Sequence, residues 1–153
     1  MKKLIIILSI VLLLLAFYGV DCLITNSYEL QITSMNPQPA VADGKSPVTI
    51  VAQLTRNGEP VQGHTLYILP QRGSFYSARV VTDDQGYAQF IYYPYLANSY
   101  IEAKPVTVEI FDEDNSVFIY VPVTLKFEIN LSQPTENDNS NDSGLTMDDI
   151  FGE

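Results

Sequence analysis

The stretch that decides the fold class is Val48-Thr49-Ile50-Val51-Ala52-Gln53-Leu54-Thr55-Arg56-Asn57-Gly58. Its apolar residues recur at every second position, and polar residues occupy most of the positions between them. This period of two places one face of a β-strand against a core and the other face in water. Asn57-Gly58 tolerates positive φ angles and is a strong hairpin signal, so the strand is expected to end at Arg56.

The same period recurs from Tyr28 to about Ile129, with turn residues between the apolar runs. Besides Val48 to Arg56, we expect strands near Leu30 and Ile32, and at Val61 to Leu69, Phe75 to Thr82, Tyr87 to Tyr93, Tyr100 to Ala103, Val106 to Phe111, Ser116 to Val121 and Val123 to Ile129. Seven to nine short strands predict an all-β domain, a two-sheet sandwich with an immunoglobulin-like layout. An up-and-down barrel stays open as an alternative, because period alone does not fix topology.

The segment from Leu4 to Val20 is 17 residues without a charge and directly follows Lys2 and Lys3. As a helix it is about 26 Å long, which is enough to cross a hydrocarbon core of roughly 30 Å. Lys2 and Lys3 are expected to stay in the cytoplasm under the positive-inside rule. We therefore expect a single-pass membrane protein with a cytoplasmic N-terminus and an extracytoplasmic β domain.

Three fates of this segment remain open. A retained anchor is favoured, because the apolar run exceeds that of a typical signal peptide and has no Ala-x-Ala-like cleavage site. Cleaved export is the second alternative. Lipidation of Cys22 is the third, although Asp21 is a poor fit to the small residue such a signal needs. The expected organisation is an anchor or uncleaved signal at residues 1–22, the sandwich at 23–131 and an acidic tail at 132–153.

The charge excludes one class of partner. Lys2 and Lys3 are two of eight basic residues and precede all 18 acidic ones, so the part after Val20 has a formal charge of −12. Nucleic-acid binding needs basic patches that neutralise phosphates, so no nucleic-acid partner is expected. The single cysteine excludes a disulfide within the chain, so the core must stabilise the domain unless Cys22 pairs with a second chain beside the membrane.

Residues 132–143 have no large apolar side chain, so this segment is expected to be a disordered linker. Apolar residues return close behind it, at Leu145, Met147, Ile150 and Phe151. We expect these four residues to form a short C-terminal motif that becomes ordered when it docks into the groove of a protein partner.

Catalytic chemistry has few candidates in this sequence. His64 is the one histidine, and no metalloprotease, hydrolase or phosphate-binding motif is present, so no enzyme activity and no cofactor are expected. The acidic runs Asp83-Asp84 and Asp112-Glu113-Asp114-Asn115 offer oxygen ligands that calcium accepts. Turn chemistry is the favoured interpretation of both runs, because Asp and Asn side chains bond to nearby backbone. No metal site is therefore expected.

Tyrosines cluster around Pro94. Tyr93 and Tyr95 are candidates for a loop that binds a carbohydrate or a protein, because exposed tyrosines combine rigid area with a polar tip. The alternative is that tyrosine is simply favoured in strands, and this is the preferred interpretation for Tyr92 and Tyr100.

Two separated motifs resemble those of a known family. The first is Ala42-Asp43-Gly44-Lys45-Ser46-Pro47-Val48-Thr49-Ile50, followed by Asn57-Gly58-Glu59-Pro60-Val61-Gln62-Gly63, and the second is Thr82-Asp83-Asp84-Gln85-Gly86-Tyr87-Ala88. Together they resemble bacterial group 1 immunoglobulin-like domains of the invasin and intimin type, roughly over residues 31–103. The resemblance implies a β-sandwich without enzyme activity, of the kind found in the stalks and tips of surface adhesins.

The leading functional expectation is a membrane-anchored accessory subunit of a surface or envelope assembly. Its alternative is a small adhesin that binds through the tyrosine loop.

Overall fold

The computed structural model describes residues 2–135. It contains helix α1, Lys2–Thr25, followed by strands. These are β1 Tyr28–Asn36, β2 Ala40–Val41, β3 Val48–Arg56, β4 Glu59–Pro60, β5 Thr65–Pro70, β6 Ser74–Phe75, β7 Arg79–Val81, β8 Tyr87–Tyr93, β9 Val106–Asp112, β10 Thr124–Ile129 and β11 Leu131–Ser132.

The strands form two packed antiparallel sheets. The first sheet has the order β1-β3-β8-β6, with β4 paired to β3, and the second has the order β10-β9-β5-β7. A short parallel pair, β11 with β2, lies beside them. The outer strands of one sheet do not pair with those of the other among the described residues. The fold is therefore an immunoglobulin-like β-sandwich behind one apolar helix, as predicted, and the barrel alternative is wrong.

The core lies between the two sheets. Alternate residues of β3 and β9 are buried, in the patterns that a period of two requires. Ile50, Leu54 and Phe90 of the first sheet belong to the same buried cluster as Ile68 and Ile110 of the second. Each such side chain contributes about 1.5–3 kcal/mol when it leaves water, which is the main stabilisation available to a domain without a disulfide.

The expected strands at Val48 to Arg56 and Tyr87 to Tyr93 are confirmed residue for residue. The Asn57-Gly58 turn is also confirmed, with φ angles of 51° and 85°.

The expected strand from Phe75 to Thr82 is wrong as a single element. Ser74 and Phe75 pair with β8 in the first sheet, whereas residues 79–81 pair with β5 in the second. The chain crosses from one sheet to the other between them. The two-residue period of apolar side chains could not reveal this crossing, because the residues on both sides of it remain extended.

Two further expected strands are absent from the described part of the chain. Residues 99–101 form a bend, because the Asn98 side chain accepts hydrogen bonds from the amides of Tyr100 and Ile101, both at 2.9 Å, and residues 102–103 belong to no strand. Residues 116–121 form a loop whose amides bond to a residue of α1. Local side-chain bonds and a distant carboxylate have replaced ladder pairing at these positions.

The antiparallel register defines two ends of the sandwich. At the end next to α1, here the proximal end, Tyr28 lies opposite Arg56 and the loop after β9 begins at Glu113. At the opposite, distal end, Asn36 lies opposite Thr49, and β8 runs into the tyrosine loop. The last strand, β11, pairs with β2 near this distal end. The nine residues of β3 separate the two ends by about 30 Å.

Gly86 provides a test of this packing. Its φ is +74°, and a Cβ added there would collide with the carbonyl oxygen of Leu54. Gly58 has a similar φ of +85° with open space around it. We expect Gly58→Ala to cost about 1 kcal/mol for the left-handed backbone alone, and Gly86→Ala to cost about 1–3 kcal/mol more for the collision. Urea unfolding of the full-length protein in detergent measures both. Equal losses would contradict the packing described for Gly86.

Candidate functional site at the junction of helix and sandwich

The carboxylate of Asp21, one turn before the end of α1, is bound by the backbone of a distant loop. Its Oδ1 accepts the amide of Val117 at 2.9 Å, and its Oδ2 accepts the amide of Phe118 at 2.9 Å. The amide of Ile119 also donates to Oδ2. Three successive amides that converge on one anion form a nest, an arrangement that binds negative groups strongly. Asp21 has no exposed surface.

A second set of hydrogen bonds surrounds Asn115, which is 2% exposed. Its Nδ2 donates to Thr25 Oγ1 at 2.8 Å and to the Val121 carbonyl at 2.9 Å, and its Oδ1 accepts the amide of Val123 at 3.1 Å. Thr25 Oγ1 in turn donates to the Val121 carbonyl at 2.7 Å. The last turn of α1 is therefore hydrogen-bonded to both ends of the loop between β9 and β10.

An aromatic contact extends this junction along the helix. The rings of Phe17 and Phe118 are stacked, with centroids 4.6 Å apart and planes inclined by 12°. Phe17 lies one turn before Asp21, so both residues face the same loop.

The connection from helix to sandwich is short and hydrogen-bonded. Only Asn26 and Ser27 separate α1 from β1. The Ser27 carbonyl accepts the amide of Asn57 at 2.8 Å, and Ser27 Oγ accepts Arg56 Nε at 3.2 Å. The guanidinium of Arg56 also lies 5.2 Å from the centre of the Tyr28 ring. The β3–β4 hairpin thus fixes the direction in which the chain leaves the helix.

His64 also lies at the proximal end. Its Nδ1 is 2.8 Å from Oδ2 of Asp112, a buried carboxylate that also accepts the amide of Asp114 at 3.0 Å. The Tyr28 ring lies 5.5 Å from the imidazole. His64 does not line the open groove of about 290 Å³ on the sandwich, whose lining includes Leu69, Thr107 and Lys126. The contacts of His64 are those of a structural histidine that satisfies a buried acid.

The carboxylates of the acidic turns are occupied by hydrogen bonds to protein groups. Asp83 Oδ1 accepts the amides of Gln85 and Tyr87 at 2.9 and 2.8 Å, and Asp114 Oδ2 accepts the amide of Thr65 at 2.6 Å. Within residues 2–135, no three His, Cys, Asp or Glu side chains come close enough together to hold a metal ion. Turn chemistry accounts for Asp83. The second run also bonds to other elements, with Asp112 on His64, Glu113 on Arg79 and Asp114 on the amide of Thr65.

The tyrosine loop lies at the distal end, but its rings differ in availability. Tyr92 is buried, which raises its pKa to about 12, and its hydroxyl donates to the Arg72 carbonyl at 2.7 Å. The Tyr95 hydroxyl accepts the amide of Lys104 at 2.8 Å, and the Arg72 guanidinium covers the ring at 4.1 Å. Tyr93 is half-buried, whereas Tyr100 is 95% exposed.

Asp43, in the first of the two family motifs, also closes a turn at the distal end. Its Oδ1 accepts the amides of Lys45 and Ser46, both at 2.8 Å, and its Oδ2 accepts the Ser46 hydroxyl at 2.6 Å. Partial burial acts to raise the pKa of Asp43, but these three donors outweigh it and hold that pKa below its ordinary value. Asp43 therefore has a structural role.

The structure thus assembles a site that sequence reasoning missed. Asp21 and Phe118 were not among the candidates, and Asn115 was considered only as part of an acidic turn; the signal available in the sequence was a single acid placed directly after an apolar run. The expected docking residues Leu145, Met147, Ile150 and Phe151 lie outside the described residues, as does most of the 132–153 tail. Helix α1 continues to Thr25, three residues beyond the expected boundary at Cys22.

Comparisons with known proteins bear on the fold. No protein-family model matches the sequence, and no curated protein matches it significantly. The D00 and D0 domains of intimin superpose with a TM-score of 0.51 at 14% identity, over 68% of this chain and 48% of that one. A 282-residue C-terminal fragment of intimin, solved with the intimin-binding domain of the translocated intimin receptor, gives 0.50 at 19% identity, over 66% and 33%.

A conjugative transposon lipoprotein from Bacteroides eggerthii superposes less closely, with a TM-score of 0.42 at 15% identity, over 68% of this chain and 97% of that chain.

The fold and the site together define a class of protein, an immunoglobulin-like module joined to an apolar helix. By length and composition this helix could cross a membrane. The resemblance to bacterial immunoglobulin-like domains of the intimin type is confirmed at the level of the fold. The chain spans less than half the length of either intimin fragment.

The Asp21 nest yields a mutational test. Asp21→Asn keeps the size of the side chain but replaces one acceptor oxygen with an amide that cannot accept the loop N–H groups. We expect the Tm of the full-length protein in detergent to fall by roughly 5 °C or more, since buried donors are left unpaired. Hydrogen exchange at residues 117–119 should accelerate.

Glu29→Gln is the matched control, because it makes the same chemical change at an exposed position of β1. Its Tm should stay close to that of the unchanged protein. If Asp21→Asn and Glu29→Gln behave alike, the carboxylate does not hold the loop.

Proposed function

We propose that this chain is a non-enzymatic, single-pass envelope protein whose retained helix holds the immunoglobulin-like module outside the cytoplasm. The module acts as an accessory subunit of a surface assembly and recruits a protein partner through Leu145, Met147, Ile150 and Phe151. The observation that carries this proposal is the hydrogen-bonded junction at Asp21, because it makes the helix part of the folded domain.

The junction favours a retained helix over the two alternatives. Cleavage before Cys22 would remove Asp21 and Phe17, leaving the amides of residues 117–119 without their acceptor. A signal peptide is discarded after export, so a mature domain is not expected to depend on it. Lipidation at Cys22 requires the same cleavage and is disfavoured for the same reason.

Intact-mass measurement tests the retained anchor. Protein purified from membranes should have the mass of a chain that still contains the helix residues before Cys22. No acyl group should be attached. A mature N-terminus at Cys22, or an added lipid mass, would contradict the proposal and would mean that the Asp21 contacts are not part of the mature protein.

The two ends of the sandwich suit different tasks. With α1 in a bilayer, the proximal end lies against the membrane, and the distal end projects about 30 Å from it. Strand β11 pairs near the distal end, so the tail that follows it starts away from the membrane surface. A tail that starts there reaches partners that a membrane-proximal tail would not.

Partner capture tests the role of the tail. Replacing Leu145, Ile150 and Phe151 by Ala should abolish recovery of the partner in a pull-down with the full-length protein in detergent, because docking of a short motif depends on its apolar anchors. A chain that ends at Ser143 should behave in the same way.

The matched control replaces Asn137, Asn139 and Ser140 by Ala, which changes as many residues of the same tail but removes no large apolar group. This control should recover the partner as the unchanged protein does. Unchanged recovery by the variant with Ala at positions 145, 150 and 151 would refute the docking role. The double variant Tyr93→Ala, Tyr95→Ala should keep its partner; loss of the partner there would favour the adhesin instead.

The adhesin is the second candidate, and it rests on the position of Tyr93 and Tyr95 at the distal end, where an adhesive surface is accessible. Its weakness is that Tyr95 is already engaged by the backbone of Lys104 and by Arg72.

A further inference from the structure

The loop that receives Asp21 has an apolar outer surface. Residues 117–120, here the apolar loop, are Val117, Phe118, Ile119 and Tyr120. The amides of Val117, Phe118 and Ile119 turn inward to the carboxylate. The side chain of Val117 is 67% exposed, that of Phe118 55% and that of Tyr120 62%. Three large apolar side chains exposed side by side in a hydrogen-bonded loop are unusual in a protein surface that faces only water.

The apolar loop is continuous with the surface of α1. Phe118 stacks on Phe17, which belongs to the uncharged segment from Leu4 to Val20. Phe17 lies about 5 Å along the helix axis from the Val20 end of that segment. Two stacked rings lie at nearly the same depth relative to a membrane, so a bilayer that covers Phe17 must also reach Phe118.

The position of the loop relative to the helix is held in two ways. The Asp21 carboxylate binds its amides, and Asn115 ties its base to Thr25. The loop cannot stay in water while α1 crosses the membrane unless these bonds break.

Local charge permits the contact even though the whole exported part is acidic. Residues 115–125 carry no charge, and Asp21 is buried and hydrogen-bonded. Glu113, which acts on Tyr120, is paired with Arg79 at 2.9 Å. Tyr18 on α1 and Tyr120 on the loop are both exposed aromatic residues with a polar tip, the type of side chain enriched where headgroups meet hydrocarbon.

We propose that the apolar loop inserts into the bilayer interface beside α1, so that the sandwich rests on the lipid surface in a fixed orientation. The inference rests on the proposed function, because it takes α1 as a membrane span. The partner is the boundary between headgroup and hydrocarbon of a zwitterionic leaflet.

The experiment uses the fact that the chain has no tryptophan. Single Trp residues are introduced into the full-length protein by Phe17→Trp, Phe118→Trp and Tyr100→Trp, and each variant is reconstituted in phosphatidylcholine vesicles with brominated acyl chains. Phe17→Trp reports on the span, Phe118→Trp on the loop, and Tyr100→Trp on the distal end. We expect a roughly twofold or greater loss of fluorescence for the first two and little loss for the third.

Further measurements keep the inference falsifiable if Phe118→Trp disturbs the fold. Tyr120→Trp places a second reporter on an exposed position of the same loop, and thermal unfolding verifies each variant. Aqueous iodide should quench Tyr100→Trp strongly and both loop reporters weakly.

The outcomes separate the inference from the function on which it rests. Quenching of Phe17→Trp without quenching of either loop reporter would leave the span intact and overturn insertion of the loop. Loop reporters shielded from lipid and iodide alike would also overturn it, since a protein would then cover the loop. Absence of quenching at Phe17→Trp would overturn the membrane span itself.

Discussion

The Asp21 carboxylate is buried where an apolar helix meets a β-sandwich, and a buried charge is tolerated only when its hydrogen bonds are made. Three successive amides of the loop between β9 and β10 meet that requirement. The helix end, the loop and the sandwich must therefore keep one relative arrangement. The hydrogen bonds of Thr25 and Ser27 support the same arrangement, and the Asp21 carboxylate is the group that gives the apolar loop its place beside the helix.

The polarity of the proximal end follows from this constraint. Polar groups turn inward, where Asp21, Thr25 and Asn115 bond to the loop backbone, and apolar side chains turn outward beside Phe17. A domain that meets only water shows the opposite arrangement. The distal end is organised differently: Asp43 and Tyr92 close turns with ordinary hydrogen bonds, and the chain leaves the sandwich there. The proposed contact with lipid uses the proximal end, and the proposed contact with a protein partner starts from the distal end.

Sequence reasoning succeeded where side-chain period and local turn chemistry were sufficient. The strands Val48–Arg56 and Tyr87–Tyr93 were predicted because alternate residues face the core. The turn at Asn57-Gly58 was predicted because few other pairs of residues adopt positive φ angles in succession. It failed at residues 116–121, where β-branched and aromatic residues indicated a strand. The same residue types also suit a loop beside a membrane helix, so composition does not distinguish the two environments.

By itself, the sequence determined an apolar helix of bilayer length, an all-β domain and an acidic balance, because each depends on neighbours within a few positions. Only the tertiary structure decided that Asp21 and the amide of Val117, 96 positions apart, form one site, and that His64 bonds to Asp112 across 48 positions. A period records which face of a strand is buried. It holds no information about which distant groups meet, because that depends on how the sheets pack and where the chain crosses between them.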